Sequence, residues 1–272
     1  MSISNNESFW ILGGVTAQPE PPDDTLYFEA KTSKVSEGID LKNGAGRHRH
    51  CAVNVEFPVS KGNLVGQWNQ VVVIGGKEVG RRVETFCKGS AVLNHTVCNV
   101  QTETSNWSEF PSILEARDGF SCTSFQYRDL GAAIMIGGGL INSTDGNKTS
   151  SEIFLIEQCA LNGNDCEWRD KINGRPIDIP GLPRVDAAVT TLNNIPTLFG
   201  GAFNVSGHIT ATGTVLQFVD TDENGTPGNE WKINGTMEVP RQQHSVVSVP
   251  IDFLCHQETT PLISRYIMKK CI

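Results

Sequence analysis

Ala133-Ile134-Met135-Ile136-Gly137-Gly138 is an apolar run closed by two glycines. The same pattern recurs at Trp10-Ile11-Leu12-Gly13-Gly14, Val72-Val73-Ile74-Gly75-Gly76 and Thr197-Leu198-Phe199-Gly200-Gly201. The first glycines of successive copies stand 62, 62 and 63 residues apart, a period in the range of repeated supersecondary units. An unbroken apolar run suits a strand buried on both faces. Two glycines at its end permit positive φ and the close approach of a neighbouring backbone. The chain therefore reads as an array of similar all-β units, each unable to bury its apolar faces alone.

Three further markers keep this register. Arg47, Arg117, Arg184 and Arg241 each open a first strand, and three residues later stand His50, Phe120, Ala187 and His244. Third strands carry an aromatic at Tyr27, Phe86, Phe154 and Phe218, and last strands carry Trp107, Trp168 and Trp231. The second unit is expected at residues 47–55, 71–76, 82–87 and 98–107, and the third at 117–125, 133–138, 152–157 and 166–168. The fourth falls at 183–191, 197–201, 215–220 and 230–232. The first unit opens on residues 9–14 with no strand before it. A further first strand at residues 240–249 is positioned either to pair with 9–14 and close a ring or to begin another unit.

Pro240-Arg241-Gln242-Gln243-His244-Ser245, the apolar-Gly-Gly strands, the third-strand aromatics and the spaced tryptophans together resemble the kelch repeat family over most of residues 9–249. Phe120 and Ala187 depart from the histidine, and the repeats exceed the family's usual length of about 50 residues. The resemblance implies a kelch-type β-propeller of four-stranded blades with about four blade equivalents, either a closed four-blade ring or a fragment of a larger propeller. Its expected boundaries are a partial blade at 9–43, blades at 44–113, 114–180 and 181–239, and the first strand of the next blade, or ring closure, at 240–249. Residues 250–272 are expected to form an irregular tail.

A formal charge of -8 disfavours nucleic acid as a partner. No run approaches the ~18 apolar residues that span a bilayer. Residues 1–7 lack the character of a signal peptide, yet eight cysteines and eight Asn-x-Ser/Thr sequons suit an oxidising, glycosylating compartment. The sequons are Asn6, Asn94, Asn106, Asn142, Asn147, Asn204, Asn224 and Asn234. The expectation is a secreted, extracellular glycoprotein, with a cytoplasmic location as the alternative.

Cys87 with Cys98, and Cys159 with Cys166, bracket the same turn of successive units and are the expected disulfides. Cys51 and Cys122 occupy nearly equivalent places in adjacent first strands, where buried small residues are expected in preference to a bridge between the two, and Cys255 and Cys271 have no assigned partner. Asp220-Thr221-Asp222-Glu223-Asn224-Gly225 begins like a calcium loop, with Asp220 and Asp222 as ligands. Trp231 at the twelfth position favours an acidic turn. No other metal and no cofactor is expected.

Galactose oxidase-like copper enzymes also use kelch-type propellers, but they need converging tyrosine and histidine ligands. Here only Tyr27, Tyr127 and Tyr266 exist, and the six histidines are scattered. The expectation is a non-catalytic interaction module that binds a protein or glycan through its loops. The alternative is a structural propeller segment of a larger receptor or matrix protein. Around the second double glycine, Arg47, His48, Arg49, Lys77, Arg81 and Arg82 form the candidate ligand-binding surface, a local positive field suited to an acidic peptide or a sialylated or sulfated glycan.

Overall fold

Each apolar run becomes the second strand of an antiparallel sheet, and the sheets follow one another in chain order. The computed structural model describes residues 2–5, 8–13, 24–29, 31–41, 46–61, 64–77, 79–87, 107–141, 151–162, 166–181, 184–205, 208–221 and 227–246. The first sheet has the order β1 (Ser2–Asn5), β2 (Ser8–Leu12), β3 (Thr25–Glu29), β4 (Lys34–Glu37). The second has β5 (Cys51–Lys61), β6 (Leu64–Ile74), β7 (Val83–Cys87), β8 (Ser108–Phe110). The third has β9 (Arg117–Gln126), β10 (Ala132–Ile141) and β11 (Ser151–Phe154), followed by helix α1 (Ile156–Asn162) and a small hairpin of β12 (Lys171–Ile172) and β13 (Arg175–Pro176). In the fourth, β14 (Ala188–Leu192) and β15 (Ile195–Phe199) precede an inserted hairpin, β16 (Ala202–Val205) and β17 (His208–Ala211). Strands β18 (Thr214–Thr221) and β19 (Pro227–Thr236) complete that sheet. No sheet among the described residues closes on itself.

Three apolar clusters join successive sheets. Leu12 and Leu41 pack with Ala52, Val71, Val73, Phe86 and Trp107 between the first and second. Val72, Ile74 and Val83 meet Ile134, Ile136, Phe154 and Trp168 between the second and third. Ala133, Met135 and Ile153 meet Leu198, Leu216, Phe218 and Trp231 between the third and fourth. The runs at 71–74 and 133–136 are thus divided residue by residue between two clusters, which is why they do not alternate with polar residues.

The aromatic markers pack as pairs within a unit: Phe86–Trp107 at 5.4 Å, Phe154–Trp168 at 5.3 Å and Phe218–Trp231 at 5.7 Å between ring centroids. Such pairs contribute about 0.5–1.5 kcal/mol beyond their buried area. Each indole Nε1–H then donates to a group preceding its own sheet: Trp107 to Ile39 O, Trp168 to Pro111 O and Trp231 to Ser151 Oγ. The tryptophans satisfy their polar edge while stitching one unit to the unit before it.

The first sheet has a strand before β2, contrary to expectation. Ser2↔Ile11 through Asn5↔Ser8 pair β1 with β2, and β3 takes the other edge of β2. Both edges of β2 are thus occupied; of the expected strand at 240–249, residues 240–246 are not strand and the rest lies outside the described residues. In the third sheet the expected last strand at 166–168 is replaced by helix α1 and a single bridge, Ile153↔Arg169. In the second sheet β8 follows directly after Trp107, and the rest of the strand expected at 98–107 lies outside the described residues.

The glycine register of the third unit also shifts by one residue. Gly138 and Gly139 have φ of 76° and 92°, matching Gly75 and Gly76 at 51° and 107° and Gly200 and Gly201 at 57° and 95°. The backbone approach is the reason for the requirement. Gly76, Gly139 and Gly201 donate their N–H to the carbonyls of Arg117, Arg184 and Arg241, at 3.4, 2.8 and 2.7 Å. A Cβ on Gly13, Gly138 or Gly200 would lie 2.5, 2.7 or 2.5 Å from the carbonyl oxygen of Arg47, Arg184 or Arg241. The double glycine of each sheet is the dock for the residue that opens the next.

Candidate functional site

The four opening arginines set the geometry. Arg47, Arg117 and Arg184 are buried, and each guanidinium donates to the carbonyl of the first glycine in its own sheet: Gly75 at 3.4 Å, Gly138 at 3.0 Å and Gly200 at 3.1 Å. A left-handed glycine turns that carbonyl out of the strand ladder, so it needs a donor from elsewhere. Glu84 pairs with Arg47 at 3.2 Å, and Glu152 pairs with Arg117 while accepting from the Leu114 N–H at 2.7 Å. Burial lowers the pKa of Arg47 to about 10, an effect partly opposed by Glu84, and lowers those of Arg117 and Arg184 as well.

Two residues after each arginine the chain turns left-handed. Arg49, Gly119, Asp186 and Gln243 have φ of 55°, 62°, 55° and 53°. This conformation costs an L residue about 1–2 kcal/mol, but it lets each backbone reach the neighbouring unit. Gly119 N–H donates to Arg49 O at 3.2 Å, Asp186 N–H to Gly119 O at 2.7 Å, and Gln243 N–H to Asp186 O at 3.0 Å. The result is a continuous backbone arc crossing the units.

The side chains of the arc form a second chain. Arg49 Nη2 donates to Asp186 Oδ1 at 2.9 Å, and Gln243 Nε2 to Asp186 Oδ2 at 3.4 Å. Gly119 lies beneath the ion pair: a Cβ there would stand 2.8 Å from Asp186 Oδ1 and press on the guanidinium. Arc residues and the starts of β5, β9 and β14 line a cavity of about 320 Å³, to which His50, Phe120, Ser121, His244 and the Cys51–Cys122 disulfide also contribute. Burial holds the His50 pKa at about 3 and lowers that of His244, so both imidazoles are neutral near pH 7. The cavity therefore presents one compensated ion pair, an amide, two neutral imidazoles and hydroxyls beside an aromatic ring.

No protein-family model and no curated protein matches the chain. A solved structure, the structure of YjhT, is similar over 90% of this chain and 72% of that chain, with 12% identity and a TM-score of 0.56. The likeness is one of fold alone.

The structure separates the six basic candidates. Arg47 is buried on Glu84, because a desolvated guanidinium needs a carboxylate and carbonyls around it. It is a strut of the second sheet and not a ligand contact. Arg82 Nε also meets Glu84, at 2.9 Å, and its Nη2 lies 4.0 Å from Glu109. Arg81 Nε donates to Ile113 O at 2.7 Å, while His48 and Lys77 form an isolated antiparallel bridge. Arg49 alone of the six lines the cavity. Sequence reasoning missed Asp186 and Gln243; their fixed offset from Arg184 and Arg241 is the signal that leads to them.

Of the other candidates, Cys159 and Cys166 form the expected disulfide, with Cys159 on helix α1 rather than at the end of a strand. Cys51–Cys122 joins β5 to β9 across the second and third sheets with a Cα–Cα distance of 5.8 Å. The expected Cys87–Cys98 pairing lies outside the described residues, as do Cys255 and Cys271. The Asp220 carboxylate lies 3.7 Å from Arg128 Nε, and its carbonyl accepts from the same guanidinium. A cation thus already stands where calcium was considered; Asp222 lies outside the described residues. Tyr127 OH donates to the buried Asn229 at 2.7 Å, its pKa raised by burial. Among the described residues no three His, Cys, Asp or Glu side chains gather into a metal site, and no helix is long and apolar enough to cross a membrane. Asn234 is exposed on β19 and Asn204 lies in β16; the remaining sequons lie outside the described residues.

Proposed function

We propose that this chain is a kelch-type β-propeller array acting as a secreted, non-catalytic binding module, and that a protein or glycan ligand engages the cavity mouth at Arg49, Asp186 and Gln243. The observation that carries this reading is the arc: four successive units accept a left-handed residue at the same offset, three of them not glycine, to aim side chains at one opening. Strain concentrated in this way is a recurrent property of ligand clamps. An acidic group on the ligand replaces Asp186 as acceptor for Arg49 and leaves the Gln243 amide to bond the same ligand.

Titration calorimetry with a sulfated oligosaccharide and with an acidic peptide tests this. Asp186→Asn should strengthen binding of whichever probe binds, by removing the competing carboxylate, and Arg49→Ala should abolish it. Unchanged binding by Arg49→Ala would reject the mouth as the site. A structural segment of a larger receptor or matrix protein is the second reading, supported by apolar side chains left exposed on the first sheet, among them Leu26 and Val35.

A further inference from the structure

The last strand of the fourth sheet carries an unusual combination. Strand β19 is an edge strand, paired along one side with β18, and among the described residues no strand pairs with its other side. Its register with β18 breaks where Val215 faces Gly235 and Leu216 faces Ile233, so Asn234 is the extra residue of a β-bulge with no ladder partner. Asn234 is exposed, and Ile233 beside it is 70% exposed. An edge strand with an exposed branched apolar residue is a template for pairing with another chain, and a bulge alone weakens that hazard without covering the apolar side chain.

Asn234-Gly235-Thr236 is also a sequon. The Asn234 side chain is exposed at the bulge, so a large substituent on its amide meets solvent beside the open edge.

From the coincidence of sequon, bulge and free edge we infer that Asn234 is N-glycosylated and that its glycan covers Ile233 and the open edge of β19, keeping this face from associating with a second copy. The inference rests on the secreted reading above. In the modification, the Asn234 side-chain nitrogen forms a bond to the anomeric carbon of a lipid diphosphate-linked oligosaccharide, supplied with its transferase by the secretory compartment. The bond from that carbon to the diphosphate oxygen breaks, the lipid diphosphate leaves, and the amide gives up one proton to a base of the transferase. A polar, hydrated oligosaccharide then stands where an incoming strand would have to lie.

The test is to express the full chain behind a secretion leader in a glycosylating host. Enzymatic deglycosylation in heavy-oxygen water followed by peptide mapping then marks each occupied asparagine. Heavy label at Asn234 is the result expected. Label at other sequons with Asn234 unlabelled overturns this inference and leaves the secreted reading standing, while no label at any sequon overturns both. For the covering role, sedimentation velocity should show the glycosylated protein as a monomer and Asn234→Gln shifted towards dimer, with Ile233→Lys added to that variant restoring the monomer. Trimming the glycans from the folded protein gives the same comparison without a substitution at the bulge. An Asn234→Gln variant and a trimmed protein that both stay monomeric would overturn the covering role.

Discussion

Replacing Gly138 and Gly137 separately by alanine distinguishes the docking role of the glycine pair from its mere presence in the sequence. At Gly138 the backbone has φ of 76°, which costs an alanine about 1–2 kcal/mol. The new Cβ would lie 2.7 Å from Arg184 O, a backbone atom that can retreat only by moving the start of the fourth sheet. That movement endangers the 2.8 Å bond from Gly139 N–H to the same carbonyl, worth about 1 kcal/mol. Gly138→Ala should therefore destabilise by about 2–3 kcal/mol. At Gly137, φ is not left-handed, and a Cβ meets only side-chain atoms: Ile179 Cδ1 at 3.3 Å, Leu198 Cδ1 at 3.5 Å and Trp231 Cζ2 at 3.7 Å. There the gain of about 0.5–1 kcal/mol from removing a strand glycine opposes a modest overpacking cost. Gly137→Ala should stay within about 1 kcal/mol of the parent. Urea unfolding of the oxidised protein, followed by tryptophan fluorescence, reads both. Equal destabilisation by the two substitutions, or a neutral Gly138→Ala, would refute the docking argument.

Other substitutions probe the remaining links. His50 is held neutral with a pKa of about 3 against 6.5 in the unfolded chain, so unfolding takes up a proton between those values. Stability from this group is full above about pH 6.5 and falls by ~1.4 kcal/mol per unit as pH drops towards 3; His50→Phe, copying Phe120 one unit on, should flatten that acid limb in pH-dependent urea midpoints. Arg117→Met leaves Glu152 buried without its cation and should cost ~3–5 kcal/mol. Arg184→Met strands the Gly200 carbonyl, while Thr214 O keeps the Gly200 N–H, and should cost ~1–3 kcal/mol by the same assay. Gly119→Ala should break the Arg49–Asp186 bridge and speed amide exchange at Asp186 and Gln243, read by NMR, while leaving exchange in β15 unchanged.

The array was legible because its determinants are large and repeated. Apolar runs buried on both faces, paired Phe and Trp rings and docked glycines each leave a residue-type signature at constant spacing. Register in the third unit was ambiguous because Gly137, Gly138 and Gly139 are consecutive, and only the position of the Arg184 carbonyl selects among them. Strand β1 escaped notice because Ser2-Ile3-Ser4-Asn5 offers one apolar residue, too few for a pattern. Helix α1 replaced an expected hairpin because seven residues carry too little periodicity to announce a helix. The arc was hidden for a different reason. Arg49, Gly119, Asp186 and Gln243 share a backbone conformation and a bonding pattern but no side-chain chemistry. The basic surface misled because charge in a sequence does not reveal its partner: Glu84 neutralises Arg47 and Arg82 from within the same sheet.

Non-reducing peptide mapping of the chain expressed behind a secretion leader tests the side-by-side packing of successive sheets most directly, because Cys51 and Cys122 lie on β5 and β9 of two different sheets, 71 residues apart in sequence. The account predicts one peptide pair linked through Cys51 and Cys122 and another through Cys159 and Cys166. Recovery of Cys51 and Cys122 as separate peptides, free or each joined to another cysteine, would contradict it.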